Sequence, residues 1–206
     1  MLKLIQVFSI ISLAFLLVSC KHLKVDGKLI KTNEEKFIVP YFNVENKDYL
    51  FSTRIKVYGN EMSGLLAVKK LGNQHKRLAL LTDFGNTLID MEFQGEQVKV
   101  NYVVEDLNRK VIINQFKRNF QLLLQSEYIV KDVYEVDEGK VFTSKFQGKK
   151  IHLHVNQNEN LTKLVQANVF KNKNEINYFK SLEGSDSIYF TSHQFPIEVI
   201  LNEKIK

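Results

Sequence analysis

The chain has 206 residues, 44% of them hydrophobic and 25% charged, with a net charge of +6 and one cysteine. That length suits one domain with a sizeable core, and a lone cysteine excludes a disulfide framework. No basic helix and no aromatic-interleaved Lys/Arg patch points to nucleic acid, so none is expected as a partner.

The first segment is "MLKLIQVFSIISLAFLLVSC". One positive charge, Lys3, precedes an apolar stretch of about 15 residues, which fits a signal peptide and is short for a membrane span. It ends in Leu17-Val18-Ser19-Cys20. This ending resembles the bacterial lipobox, in which cleavage leaves the cysteine first and acyl chains are attached to it. The expected organisation is a signal peptide over 1–19, a lipidated Cys20 with a polar tether over 20–36, and a domain over 37–206. Each buried methylene contributes about 0.8 kcal/mol, so two or three acyl chains anchor stably. Lys21 stands where an Asp retains many lipoproteins in the inner membrane, so the resemblance implies the outer membrane, facing the periplasm. The lysines near the anchor (Lys21, Lys24, Lys28, Lys31) and at the end (Lys204, Lys206) read as solvated surface. Attraction to anionic headgroups, at about 1 kcal/mol per basic residue, stays open beside that reading.

Strands follow. "FSTRIKVY" sets Phe51, Thr53, Ile55 and Val57 on one face. "MSGLLAVKKL", "KRLALLT", "NTLIDMEF" and "EQVKVNYVV" continue, the last placing Val98, Val100 and Tyr102 together. Period-two patterning between Gly-containing turns predicts antiparallel strands. "DLNRKVIINQFKRNFQLLLQ" breaks the pattern: Ile112, Phe116, Phe120, Leu123 and Leu124 recur at helical spacing, with Asp106 or Asn108 as the expected cap. Strands resume through "KVFTSKFQG", "KKIHLHVNQ", "LTKLVQANVF", "INYFKSLEG", "SIYFTSH" and "PIEVILN". A mainly β sheet of about ten or eleven strands must curl or close, and one or two helices then cover its mouth.

Catalytic patterns are sparse. The chain has no Gly-x-Ser-x-Gly elbow, no phosphate-binding Gly-rich loop and no metalloprotease helix motif. His152 and His154 share a strand face, yet a zinc site needs a third ligand, so two histidines on a half-exposed strand are the ordinary reading. Asp83 and Asp90 have no visible acid–base partner. Neither an enzyme nor a cofactor is expected.

The stretch "LALLTDFGNTLIDMEF" carries a phenylalanine, Phe84, amid turn residues. Either its ring folds back onto a neighbouring element, or it stays out to meet a membrane or a lipid.

The run "KRLALLTDFGNTLIDMEFQGEQVKVNYVVEDLN" resembles the central hairpins of the LolB-like outer-membrane lipoprotein receptor family, with the LolA/LolB half-barrel fold. "YLFSTRIKVYG" and "FPIEVIL" resemble an early and a late strand of that family. The chain departs from the family in lacking Trp and a second lid helix. The resemblance implies an unclosed antiparallel β half-barrel with a helical lid over an apolar cavity. It implies a monomer that accepts acylated lipoprotein cargo from a periplasmic LolA-like carrier and inserts it into outer-membrane lipid. It also implies that Phe84 occupies the place of an exposed leucine used for membrane insertion. The strand faces assign the cavity lining to Ile55, Val57, Leu66, Val68, Leu80, Ile89, Met91, Phe93, Val98, Val100 and Tyr102, with Phe116 and Phe120 from the helix. Two alternatives stand beside this function: a lipid-anchored binder of another hydrophobic ligand, and a structural or assembly lipoprotein.

Overall fold

The structure, a computed structural model, describes residues 25–45, 47–57, 59–167, 172–181 and 185–204. Cys20 and the signal segment lie outside the described residues. Strands β1 (Lys28–Ile30) and β2 (Lys36–Ile38) come first. Five longer strands follow: β3 (Asp48–Val57), β4 (Asn60–Gly72), β5 (His75–Leu81), β6 (Thr87–Gln94) and β7 (Gln97–Val103). A 3-10 turn over Glu105–Leu107 leads into α1 (Lys110–Leu123). The remaining strands are β8 (Glu127–Ile129), β9 (Asp132–Val136), β10 (Gly139–Phe146), β11 (Lys149–Asn156), β12 (Leu161–Ala167), β13 (Asn172–Phe179), β14 (Ser187–Ser192) and β15 (Ile197–Glu203).

Thirteen strands pair into one sheet in the order β1-β9-β10-β11-β12-β13-β14-β15-β3-β4-β5-β6-β7, and β2 pairs with β8 in a small second sheet. Every pairing is antiparallel, and the sheet is unclosed, with β1 and β7 as its edges. The strand count exceeds the expected ten or so because segments as short as β1 carry no readable alternation. The last strand, β15, pairs with β3, setting Val199 against Ile55 and so joining the two halves of the chain side by side. Because neighbouring strands alternate in direction, the turns fall on two opposite rims. The β3–β4, β5–β6 and β10–β11 turns share one, called here the upper rim. The β4–β5, β6–β7, β9–β10 and β11–β12 turns share the lower rim.

The helix runs across the concave face from the upper rim to the lower. It contains no Gly or Pro, and its apolar stripe buries Phe116, Phe120, Leu122 and Leu123. The expected cap is not used: Asp106 lies in the preceding 3-10 turn, and Arg109 is the N-cap with no side-chain hydrogen bond. The 3-10 turn takes up the residues an earlier helix start would need.

Alternation holds along β3 to β6, and the inward residues join in register. Leu66 pairs Leu80, which pairs Ile89; Val68 pairs Leu78, Leu78 pairs Met91, and Met91 pairs Val100. One irregularity changes the outcome on β7. Tyr102 pairs Asp90 while Val100 pairs Met91, so Asn101 is an extra residue and the faces exchange beyond it. Tyr102 therefore stands on the outer face at 49% exposure, and Val103, opposite buried Ile89, takes the inward place.

A second cover comes from residues 36–45, part of which the sequence reads as tether. Val39, Tyr41 and Phe42 are buried against the sheet. Phe37 meets Phe142 of β10, Tyr41 stacks on Tyr178 of β13 at 4.6 Å, and Phe42 meets Phe51 of β3 at 5.6 Å. The concave face is thus covered by α1 on one half and by this strap of aromatics across the middle.

Candidate functional site

The candidate site is the concave face and the helix that covers it. Ile55, Leu66, Val68, Leu80, Ile89, Met91 and Phe93 are all inward and no more than 4% exposed. Val57, Val98 and Val100 are half-buried and pack on the same core. From the lid, Phe116 and Phe120 stack with centroids 5.5 Å apart and close over these strands' cluster. The structure therefore brings twelve of the thirteen assigned lining residues into one cluster and turns Tyr102 away. In this state the cluster is packed rather than hollow. Burial of each large apolar side chain contributes about 1.5–3 kcal/mol, which holds the lid down.

Two features work against the lid. Phe42 has φ of 59°, in the left-handed region where a bulky side chain costs on the order of 1–2 kcal/mol. Only its packing, at 0% exposure, holds it there. Asn119, on the buried face of α1, accepts from Gln115 while its Nδ2 has no partner. An unpartnered buried donor costs about 1–3 kcal/mol.

Lys76 is the feature the sequence reading missed. It sits on the inward face of β5, in step with Leu78 and Leu80, and is 2% exposed. Its Nζ donates to the Leu124 carbonyl at 2.6 Å, Ser126 Oγ at 2.8 Å and Asn43 Oδ1 at 3.0 Å. One ammonium thus ties the end of α1 to the aromatic strap. Burial, with nearby Lys70, pushes its pKa down to about 8. The signal was present: in "KRLALL", Lys76 shares the period of Leu78 and Leu80.

Phe84 is 94% exposed at the tip of the β5–β6 hairpin on the upper rim. The loop beneath it is tightly bonded. Thr82 N–H donates to the Asn86 carbonyl at 2.8 Å, Gly85 N–H to the Thr82 carbonyl at 2.9 Å, and Ser63 Oγ to Asp83 Oδ2 at 2.7 Å. Gly85 has φ of 86°, which a side chain would resist. The ring is held out by a rigid turn.

An opening remains at the lower rim, about 520 Å³ in volume, over Phe37, Phe142 and Val155. Glu34, Glu135, Asp137 and Glu159 surround it with Lys140. His152 and His154 lie on β11 beside a cleft that Asp26 and Glu138 also line. Burial lowers the pKa of both histidines. Among the described residues no group of three or more His, Cys, Asp or Glu is placed to hold a metal ion. Asp90 pairs with Arg77 on the outer face, the hydrogen bond holding its carboxyl below the usual range.

Among solved structures, the chain is similar to a LolA superfamily protein from Nitrosomonas europaea. The TM-score is 0.50 and the identity 13%, over 77% of this chain and 83% of that one. The fold is LolA-like. A DUF1329 family protein from Desulfovibrio piger matches at TM-score 0.43 and 8% identity, over 79% of this chain and 85% of that one. An outer membrane lipoprotein-sorting protein domain, so designated provisionally, from Vibrio parahaemolyticus matches at 0.40 and 10%, over 78% and 86%. No protein-family model matches this LolA-like chain, and no curated protein matches it in sequence.

Proposed function

We propose that the protein is a LolB-like, lipid-anchored receptor that takes acyl chains of other lipoproteins into its concave face and delivers them to the outer membrane. One observation carries the reading: a continuous apolar face of a LolA-like half-barrel is closed by two pieces, α1 and the strap, that meet at Lys76. Such a cover exchanges its own apolar contacts for those of an acyl chain, so opening and loading are coupled. The strained Phe42 and the unpartnered Asn119 amide favour release. Cys20 supplies the anchor and Phe84 the point of entry into the bilayer. The transfer needs no bond chemistry, no nucleotide and no metal, only a rising affinity from a LolA-like carrier to receptor to bilayer.

Depletion of the protein in its host tests this. Other acylated lipoproteins should then accumulate in the periplasm on their carrier. Unchanged lipoprotein distribution after depletion refutes the receptor function. The opening over Phe37, Phe142 and Val155 favours a second reading, a binder of one smaller hydrophobic ligand, which predicts that unchanged distribution together with tight binding of a fluorescent acyl probe.

A further inference from the structure

The described chain enters at the lower rim. Gly27 lies against Glu135 and Val136 at the end of β9, so closely that an added Cβ would meet the Glu135 carbonyl. From there β1 runs upward along the sheet edge, Lys28 opposite Glu135 and Ile30 opposite Val133. Phe84 projects from the opposite rim. The strand β10, with eight residues, shows that the rims are about 26 Å apart. The stretch from Cys20 to Gly27 spans at most about 25 Å when fully extended. With β1 docked, the anchor can meet the bilayer that Phe84 enters only by using its whole length.

The lower rim is also a poor membrane face. Asp26, Glu135, Asp137 and Glu138 gather where the tether is rooted, with Lys28 among them, and anionic headgroups repel the net negative charge. The attachment is slight: three residue pairs, with Leu29 60% exposed and only Ile30 half-buried. The next firm attachment is near mid-height on the sheet, beside Thr143 of β10. The Glu35 carbonyl accepts from Val130 N–H at 2.9 Å, just before β9 begins, and β2 follows. Residues 31–35 between the two attachments are exposed.

We propose that β1 is a releasable strand that sets whether Phe84 can reach the anchoring membrane. Docked, it roots the anchor at the acidic rim and holds Phe84 away from that bilayer. Peeled, it moves the root up to Glu35, beside Thr143 and Ser144 of β10, and the tether lengthens to about 50 Å. Phe84 then reaches the bilayer that holds Cys20. Three edge pairs with little buried area place this opening at the low end of local unfolding free energies. The inference rests on the proposed acylation of Cys20 and on membrane entry by Phe84.

The chain has no tryptophan, so Phe84→Trp gives a single reporter of bilayer entry. The acylated protein carrying Phe84→Trp, Leu29→Cys and Tyr134→Cys is reconstituted into anionic liposomes containing brominated phospholipid. Leu29 and Tyr134 are directly opposed, so oxidation locks β1 and reduction frees it. Flotation with the liposomes reports the anchor independently. The expected result is strong quenching when reduced and little when oxidised, with quenching restored to the oxidised form by a ten-residue flexible insertion after Lys24, worth about 35 Å. Equal quenching in both redox states overturns the releasable strand and leaves membrane entry by Phe84 standing. Absence of quenching even with the insertion overturns both, and failure to float overturns the acylated anchor.

Discussion

Lys76 Nζ donates a hydrogen bond of 2.6 Å to the carbonyl oxygen of Leu124, joining the inward face of β5 to the C-terminal end of α1. The contact closes the lid with a cation, at the helix end where carbonyl dipoles favour positive charge. Burial opposes that charge and lowers the pKa, so the amine is still protonated at pH 7 but not far above it.

Lys76→Met is expected to destabilise the fold by about 1–3 kcal/mol, since it leaves the Leu124 carbonyl, Ser126 and Asn43 without their shared donor. Its effect on hydrogen exchange should concentrate in α1 and around Asn43. Urea unfolding and exchange mass spectrometry measure both. No loss of protection in α1 would mean that the contact does not hold the lid.

The same lysine gives a pH dependence with a definite sign. Its folded pKa, about 8, lies below its ordinary value of 10.5. Between those values the unfolded chain binds more protons, so its contribution to stability rises with pH across that window and is smallest below pH 8. By linkage the rise is about 3 kcal/mol at most. Urea midpoints at pH 7.5 and 10 should differ more for the native chain than for Lys76→Met. Equal differences would place the Lys76 titration elsewhere.

Phe42→Ala keeps the left-handed backbone and removes the ring between Phe51 and Tyr49. A loss of about 3–5 kcal/mol is expected, as for other buried phenylalanines. The vacated space joins the concave face, so a polarity-sensitive apolar dye should bind the variant more tightly than the native chain while both remain folded. Weaker dye binding with the fold intact would show that the strap does not cover the ligand site.

Much of this fold is legible in the sequence, and the reasons differ by element. The period-two faces of β3 to β6 are readable because one side of each strand is buried and the other solvated, so Ile55, Leu66, Leu80 and Met91 declare themselves. Tyr102 fails for a local reason, since one extra residue at Asn101 exchanges the faces and no composition signal marks it. The strap over residues 36–45 is illegible because a non-repeating stretch has no period, and its burial is set by distant partners such as Tyr178 and Phe142. Lys76 was hidden by its residue type: a lysine next to an arginine reads as surface, although its spacing matches the buried leucines.

Cys20→Ala tests the anchor. The native chain should incorporate an alkyne fatty acid and fractionate with membranes. The variant should lose the label and remain uncleaved or soluble. Persistent labelling of the variant would remove the lipoprotein reading altogether.

Phe84→Glu separates loading from delivery. The ring is 94% exposed and its loop is held by Thr82, Asn86 and Asp83 rather than by the ring itself. Stability should therefore change by no more than about 0.5 kcal/mol, as for other surface positions. Binding of a fluorescent acyl probe should also persist, because the concave face lies beneath α1 and the strap, away from the tip. Transfer of a labelled lipoprotein to liposomes should fail, since a carboxylate at the tip cannot enter the bilayer and the mouth no longer meets its acceptor. Phe84→Leu should retain transfer, because a smaller apolar side chain still gains on the order of 1.5–3 kcal/mol on burial in the acyl region. Undiminished transfer by Phe84→Glu would show that the exposed ring serves no membrane step, whatever the concave face binds.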